Sequence, residues 1–239
     1  MDVSQLFLTA EWRDLILLNY EVDASLLQAF VPAGTELERW QGRVFLSLVG
    51  FRFLNTRVFR LPVPFHRNFE EVNLRFYVRR KEGNEVKRGV VFVREIVPRW
   101  AIAAVARTLY NENYIALPMA HRIDRGAGFL SAEYSWRVRG AWNRMRASVA
   151  DEPALPSPGS QEEFIAEHYW GYASQPEGGC VEYRVAHAPW RVWSTQHCSF
   201  EGGLEDIYDR TFAAILRGHP ASAFIAEGSA VSVYRGKRI

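Results

Sequence analysis

Residues 64–80 constrain this chain more than any other stretch. Val72, Leu74, Phe76 and Val78 alternate with Asn73, Arg75, Tyr77 and Arg79, and a period of two is that of a strand with one apolar face. Just before it, His66-Arg67-Asn68-Phe69-Glu70-Glu71 packs an imidazole, a guanidinium, an amide and two carboxylates into six residues. A polar cluster therefore sits at the mouth of a well-specified strand. Alternation puts Glu71 with Asn73 and Arg75, and Glu70 with Val72 and Leu74. Around an apolar interior, Glu70 is the expected inward carboxylate.

The strand continues into a hairpin. Lys81 to Lys87 is a solvated polar turn with Gly83-Asn84 at its tip. The return strand over Val90–Val97 is apolar but for Arg94 and Glu95. Neighbours in a strand point to opposite faces, so at least one of these charges needs a buried partner or a polar cavity. Further strands are expected over residues 7–22, as one long strand or a pair, and over residues 43–54. The latter is apolar on both faces, with Gly50 as a bend or bulge. More follow over 129–138, 142–149, 182–192 (interrupted by Pro189) and 223–234. Helices are expected at residues 24–30 behind an Asp23 cap, at 100–110, after the Ser160-Gln161-Glu162-Glu163 capping box, and at 205–217. Strands mostly follow strands. The expected class is α+β, β-dominated, with an antiparallel closed or half-closed barrel and a few peripheral helices. Residues 1–239 are expected to form a single domain.

The composition is 48% hydrophobic and 14% aromatic, which supplies a thick β core or an aromatic-lined cavity. Net charge is +2 and no block of five or six basic residues occurs, so no nucleic acid and no membrane is expected as a partner. With Cys180 and Cys198 as the two cysteines, no signal-like start and no bilayer-length apolar run, a cytoplasmic location is expected.

Several chemistries lack their pattern. The six histidines have no helical pairing, and His66 with Glu70 or Glu71 does not complete a ligand set, so no metal is expected. There is no Gly-x-Ser-x-Gly, no glycine-rich phosphate loop, and Cys198 points away from His197 on a strand. No cofactor is implied. What remains is a polar group embedded in apolar strands: Arg13, His66, Arg67, Asn68, Glu70, Glu71, Arg94, Glu95, Tyr110, Asn111, Tyr114, His121, His168 and Tyr169. In one reading their Glu–Arg pairs serve only the fold. In the other they line a cavity where Arg holds a carboxylate ligand bidentately while Glu or His moves a proton.

Four phrases carry a resemblance: Val49-Gly50-Phe51-Arg52-Phe53, His66 through Arg75, Leu109-Tyr110-Asn111-Glu112-Asn113-Tyr114, and Glu167-His168-Tyr169-Trp170-Gly171-Tyr172. Together they resemble the YqjF-type bacterial family, grouped with the acetoacetate decarboxylase-like superfamily. The resemblance implies a cone-shaped β barrel around an apolar cavity. In the decarboxylase itself, a Gly-Phe-Pro-Lys stretch supplies a Schiff-base lysine after an Ala-rich helix with an Arg. Here residues 101–110 look like that helix and Arg107 like its Arg, but Tyr114 falls at the lysine position.

The full lysine inventory is Lys81, Lys87 and Lys237. Two flank the hairpin turn and one lies in the tail, so no desolvated amine nucleophile is expected. The expected function is binding of a small organic ligand, an acid by preference. Any chemistry would be acid–base, with Glu70, Glu71, Arg94, Glu95 and Tyr114 as catalytic candidates and the other residues of the polar group as ligand-binding candidates. The alternative is a non-catalytic ligand-binding or structural protein. The expected partner is a small-molecule ligand, with a homo-oligomer left open.

Overall fold

A computed structural model describes residues 6–100, 113–150, 152–195 and 197–239. The helix expected over 101–110, with Arg107, Tyr110 and Asn111, lies outside the described residues.

In chain order the first strands are β1 (Leu6–Val22), β2 (Glu36–Leu37), β3 (Val44–Val58), β4 (Leu61–Pro62), β5 (Phe69–Glu82) and β6 (Glu85–Val97). Then come β7 (Tyr114–Ala116), β8 (Met119–Gly126), β9 (Phe129–Val138), β10 (Ala141–Ala150), β11 (Trp170–Ser174) and β12 (Cys180–His187). The last are β13 (Val192–Ser194), β14 (Cys198–Glu201), β15 (Ser222–Ala226), β16 (Ala230–Tyr234) and β17 (Lys237–Arg238). Among the described residues there are three short helices, α1 (Ala24–Gln28), α2 (Gln161–Ala166) and α3 (Arg210–Leu216), in a β-dominated α+β fold. Asp23, Ser160 and Asp209 cap them through side-chain oxygens that accept backbone N–H groups.

Pairing in the large sheet runs β1–β16–β12–β11–β6–β5–β3, and β3 pairs again with β1. Most neighbours are antiparallel, as the pattern implied. The exceptions are β7 and β11, which both pair parallel to β6. A second sheet of four strands, β14–β10–β9–β8, packs on one face of the first.

The long strands are buried on both faces because two cores flank them. One face of β1, β3 and β5 (Ile16, Leu18, Leu46, Leu48, Val72, Leu74, Phe76) packs against Ala132, Tyr134, Trp136 and Met145 of the second sheet and Phe212 and Leu216 of α3. Gly50 lies on this face. A Cβ there would stand 2.7 Å from Met145 Sδ and 2.8 Å from the Tyr134 ring, so the glycine serves close sheet-to-sheet approach rather than a bend. The opposite face (Leu15, Leu17, Phe45, Val49, Phe51, Phe53, Phe69, Tyr77) meets α2, Trp190 and Phe224.

Two of the β-bulges that re-aim side chains toward this second face matter most for its polar wall. In β1 two residues, Asp14 and Leu15, oppose the single Phe51 of β3, with Asp14 left-handed at φ 55°. In β6 the register shifts beside Leu74 and Arg75, leaving Val93 as the extra residue. Each bulge breaks the alternation, so Trp12 and Leu15, and likewise Phe92 and Glu95, point to the same side. The strand expected over 223–234 is two strands. Gly228 turns between them at φ 76°, where a Cβ would collide with the Trp12 carbonyl.

Candidate functional site

The second face encloses a cavity of about 290 Å³. Its lining is mostly apolar and aromatic, with Trp12, Phe51, Phe53, Phe69, Phe92 and Trp190 prominent. The polar side chains in its wall are Thr56, His66, Glu71, Asn73, Arg75, Glu95, Tyr114, His168, Tyr183 and His187.

Strand geometry accounts for the polar cluster. Glu71, Asn73 and Arg75 are every second residue of β5, on its cavity face. Glu95 pairs across from Asn73 in β6, and Tyr114 pairs with Glu95 in β7. Asn73 Nδ2 donates to Glu71 Oε1 at 3.0 Å and Tyr114 Oη donates to Glu71 Oε2 at 3.1 Å. Glu71 is nearly inaccessible, at 3% exposure. Burial pushes its carboxyl up to about 7, against the opposing pull of the Asn73 and Tyr114 hydrogen bonds and the Arg75 charge. Burial and the charges of Glu71 and Glu95 push the Tyr114 phenol well above its ordinary range.

Arg75 is itself buried and makes one long hydrogen bond among the described residues, 3.5 Å from Nη2 to the Ile165 carbonyl. Its Nε and Asn73 Oδ1 are buried without a hydrogen-bond partner among the described residues. His168 and His187 are both held below the ordinary imidazole range, chiefly by burial, with the Arg75 charge contributing. His187 stacks on Trp190, ring centroids 4.4 Å apart. The arrangement offers a buried cation, a carboxyl that changes charge near neutrality, a phenol and two neutral imidazoles around an apolar space. Among the described residues no three His, Cys, Asp or Glu side chains gather closely enough to hold a metal ion.

Of the candidates named from sequence, Glu71, Glu95, Tyr114, His66 and His168 line the cavity. Glu70 faces the other way. Its carboxylate meets His121 Nδ1 at 2.5 Å, so these two candidates pair with each other outside the cavity. The expectation of an inward Glu70 fails because the apolar face of β5 is covered by the second sheet, not turned to the interior. Arg94 donates to Asn113 Oδ1 at 2.8 Å on that outer side. Arg13 pairs with Glu11 at 2.7 Å, Arg67 donates to Asn55 Oδ1, Asn68 accepts the Asn55 N–H, and Tyr169 donates to Glu167.

Sequence reasoning left Asn73, Arg75, Tyr183 and His187 out of the site. For the first two the signal was present, because they alternate with Glu71. For the other two it was absent, because Tyr183 and His187 sit in an ordinary alternating strand.

Lys87 also departs from expectation. It is not solvated but 5% exposed, bonded to Glu82 and, at 3.0 Å, to Glu182, with its ammonium 4.3 Å from the Trp170 ring centroid. Burial works against its charge, but the two carboxylates outweigh it and raise its pKa. Its two carboxylate partners favour the charged ammonium.

Residues 9–230 match the DUF2071 family, described as an uncharacterized conserved protein. Over 109 residues the chain is 34% identical to the uncharacterized protein YqjF of Bacillus subtilis (strain 168). That match covers 45% of this chain and only 43% of YqjF. The fold is similar to acetoacetate decarboxylase from Legionella pneumophila, at TM-score 0.67 and 13% identity over 98% of this chain and 87% of that one. It is equally similar to the enduracididine biosynthesis enzyme MppR complexed with pyruvate, at TM-score 0.67 and 14% identity over 99% and 91% of the two chains. At such identities the likeness is one of fold.

Proposed function

The chain belongs to the DUF2071 family, and from that premise we propose that it is a single-domain barrel that binds a small organic acid in the cavity on the inner face of β5. The circuit of pairings from β1 back to β1 supports the barrel. The carboxylate of the ligand meets Arg75, and its apolar remainder lies against Trp12, Phe51, Phe53 and Trp190.

The observation that carries this reading is Arg75: a guanidinium buried in the wall of a mostly apolar cavity, with a buried Nε–H that has no acceptor among the described residues. A permanent charge in such a place calls for an anion. Glu71 beside it is partly protonated near neutrality, so it neutralises Arg75 incompletely. If a reaction takes place, Glu71 is its proton carrier and Tyr114 its hydrogen-bond donor. Binding as such needs neither to move a proton.

Thermal-shift screening against small keto and hydroxy acids tests the reading. Several should raise the melting temperature of the wild-type chain, and Arg75→Met should remove those shifts while neutral analogues are unaffected. Shifts that persist in Arg75→Met would refute it.

A further inference from the structure

A second polar assembly stands in the cavity wall beside Arg75. His168 lines the cavity. Its Nε2 lies 2.8 Å from Glu38 Oε2, and Glu38 Oε1 accepts from Arg88 Nε at 2.5 Å. Burial alone would raise Glu38, but the His168 and Arg88 contacts outweigh it and hold the carboxyl below its usual range. Glu38 is therefore a carboxylate, which only accepts, so the proton between the two sits on His168 Nε2. Burial, with the Arg88 and Arg75 charges, keeps the ring neutral. A neutral imidazole with its proton on Nε2 has a bare lone pair on Nδ1.

That Nδ1 is buried and has no partner among the described residues. Stapling β2 to the rest of the fold uses Nε2 alone and leaves Nδ1 unexplained. Arg75 and His168 both stand against the Tyr77 ring, the His168 centroid 4.7 Å and Arg75 Cζ 5.7 Å from its centre, both line the cavity, and the Arg75 charge reaches the imidazole. Arg75 can only donate. Both oxygens of Glu71 already accept, from Asn73 and Tyr114. A carboxylate seated on Arg75 would lie in the same cavity as the bare His168 Nδ1.

We propose that His168 Nδ1, positioned by Glu38 and Arg88, accepts a hydrogen bond from an O–H on the carbon next to the ligand's carboxylate. The ligand class is then a 2-hydroxy acid, or a 2-oxo acid in its enol form. This assignment rests on the acid-binding reading above. It adds a selectivity that the reading does not require, because a buried acceptor left without a donor rejects the analogue that lacks the hydroxyl.

The test compares mandelate with phenylacetate, two acids of matched shape differing by one hydroxyl, by calorimetry on the full chain. Wild type should favour mandelate by at least ~10-fold. His168→Phe should abolish the preference while phenylacetate affinity stays within about threefold. Asn73→Ala, which removes a second cavity acceptor that has no partner among the described residues, should keep the preference. Without any variant, ¹⁵N NMR of the wild-type histidines at pH 7 should show His168 protonated at Nε2 only.

Equal affinities in wild type, a preference that survives in His168→Phe, or a proton on Nδ1 would each overturn the assignment and leave acid binding standing. If neither acid binds, the acid-binding reading fails and this assignment falls with it.

Discussion

Glu71→Gln gives the sharpest test of the cavity's electrostatics. In the folded chain the carboxyl is pushed from its ordinary 4.5 up to about 7 by burial. For a carboxyl raised in the folded state, the favourable contribution is fully present below the unfolded value and is lost as pH climbs through the folded one. At ~1.4 kcal/mol per pH unit, ionising Glu71 in place costs about 3 kcal/mol by pH 8.

Glutamine mimics the protonated acid. Its Oε1 still accepts from Asn73 Nδ2, and its amide donates to Tyr114 Oη where the neutral carboxyl would. The Tyr114 hydroxyl stays protonated throughout, since its pKa is raised. Glu71→Gln should therefore match wild type near pH 4 and become more stable as pH rises, by roughly 6–12 °C in melting temperature at pH 8 for a chain of this size. Other titrating groups are shared by both proteins and cancel in the difference. The assay is paired thermal denaturation from pH 4 to 9, with ¹³C NMR titration of the Glu71 carboxyl as the direct check. A stability difference that does not change between pH 5 and 8, or a carboxyl titrating below 5, would refute the reasoning.

Other expectations follow from local geometry. Gly171 sits across from Tyr183, and a Cβ there would stand 2.1 Å from the ring. Gly171→Ala should cost about 1–3 kcal/mol, and a double-mutant cycle with Tyr183→Ala in denaturant melts should recover most of it. Asp14 is left-handed at φ 55° and pairs with Arg52 and, at 2.7 Å, Arg125. Asp14→Ala should lose more than Asp14→Asn by about 1 kcal/mol, since asparagine tolerates that backbone; equal losses would count against the strain argument. Borohydride treatment with pyruvate should leave the intact mass unchanged, whereas an adduct on Lys87 would show that its ion pairs do not keep it protonated.

How much of this was legible beforehand is clearest on β5. The strand, its hairpin and its turn follow from alternation and from Gly83-Asn84 alone. The β-dominated class follows from the succession of such strands. What alternation does not contain is the identity of the material on each face. Val72, Leu74 and Phe76 look inward by composition, yet they are covered by Tyr134, Trp136 and Met145, more than 50 residues away in sequence. The bulges at Asp14 and Val93 are equally invisible to a period-two reading, and they bring Trp12 and Glu95 onto the cavity.

The same limit explains the choice between the two carboxylates. Adjacent glutamates on a strand have identical local sequence, and only the outer sheet separates them. Glu70 receives His121 from that sheet and stays an ordinary ionised partner, its pKa lowered although burial opposes it. Glu71 is turned into the cavity, where burial outweighs the Arg75 charge and the Asn73 and Tyr114 hydrogen bonds, and its pKa rises. One residue of register thus divides a carboxylate held ionised by its partner from one whose burial raises its pKa. The two faces of the same strand thus differ in how their polar groups are satisfied: Glu70 is paired with His121 on one face, and on the other Asn73 Oδ1 and Arg75 Nε are buried without a hydrogen-bond partner among the described residues.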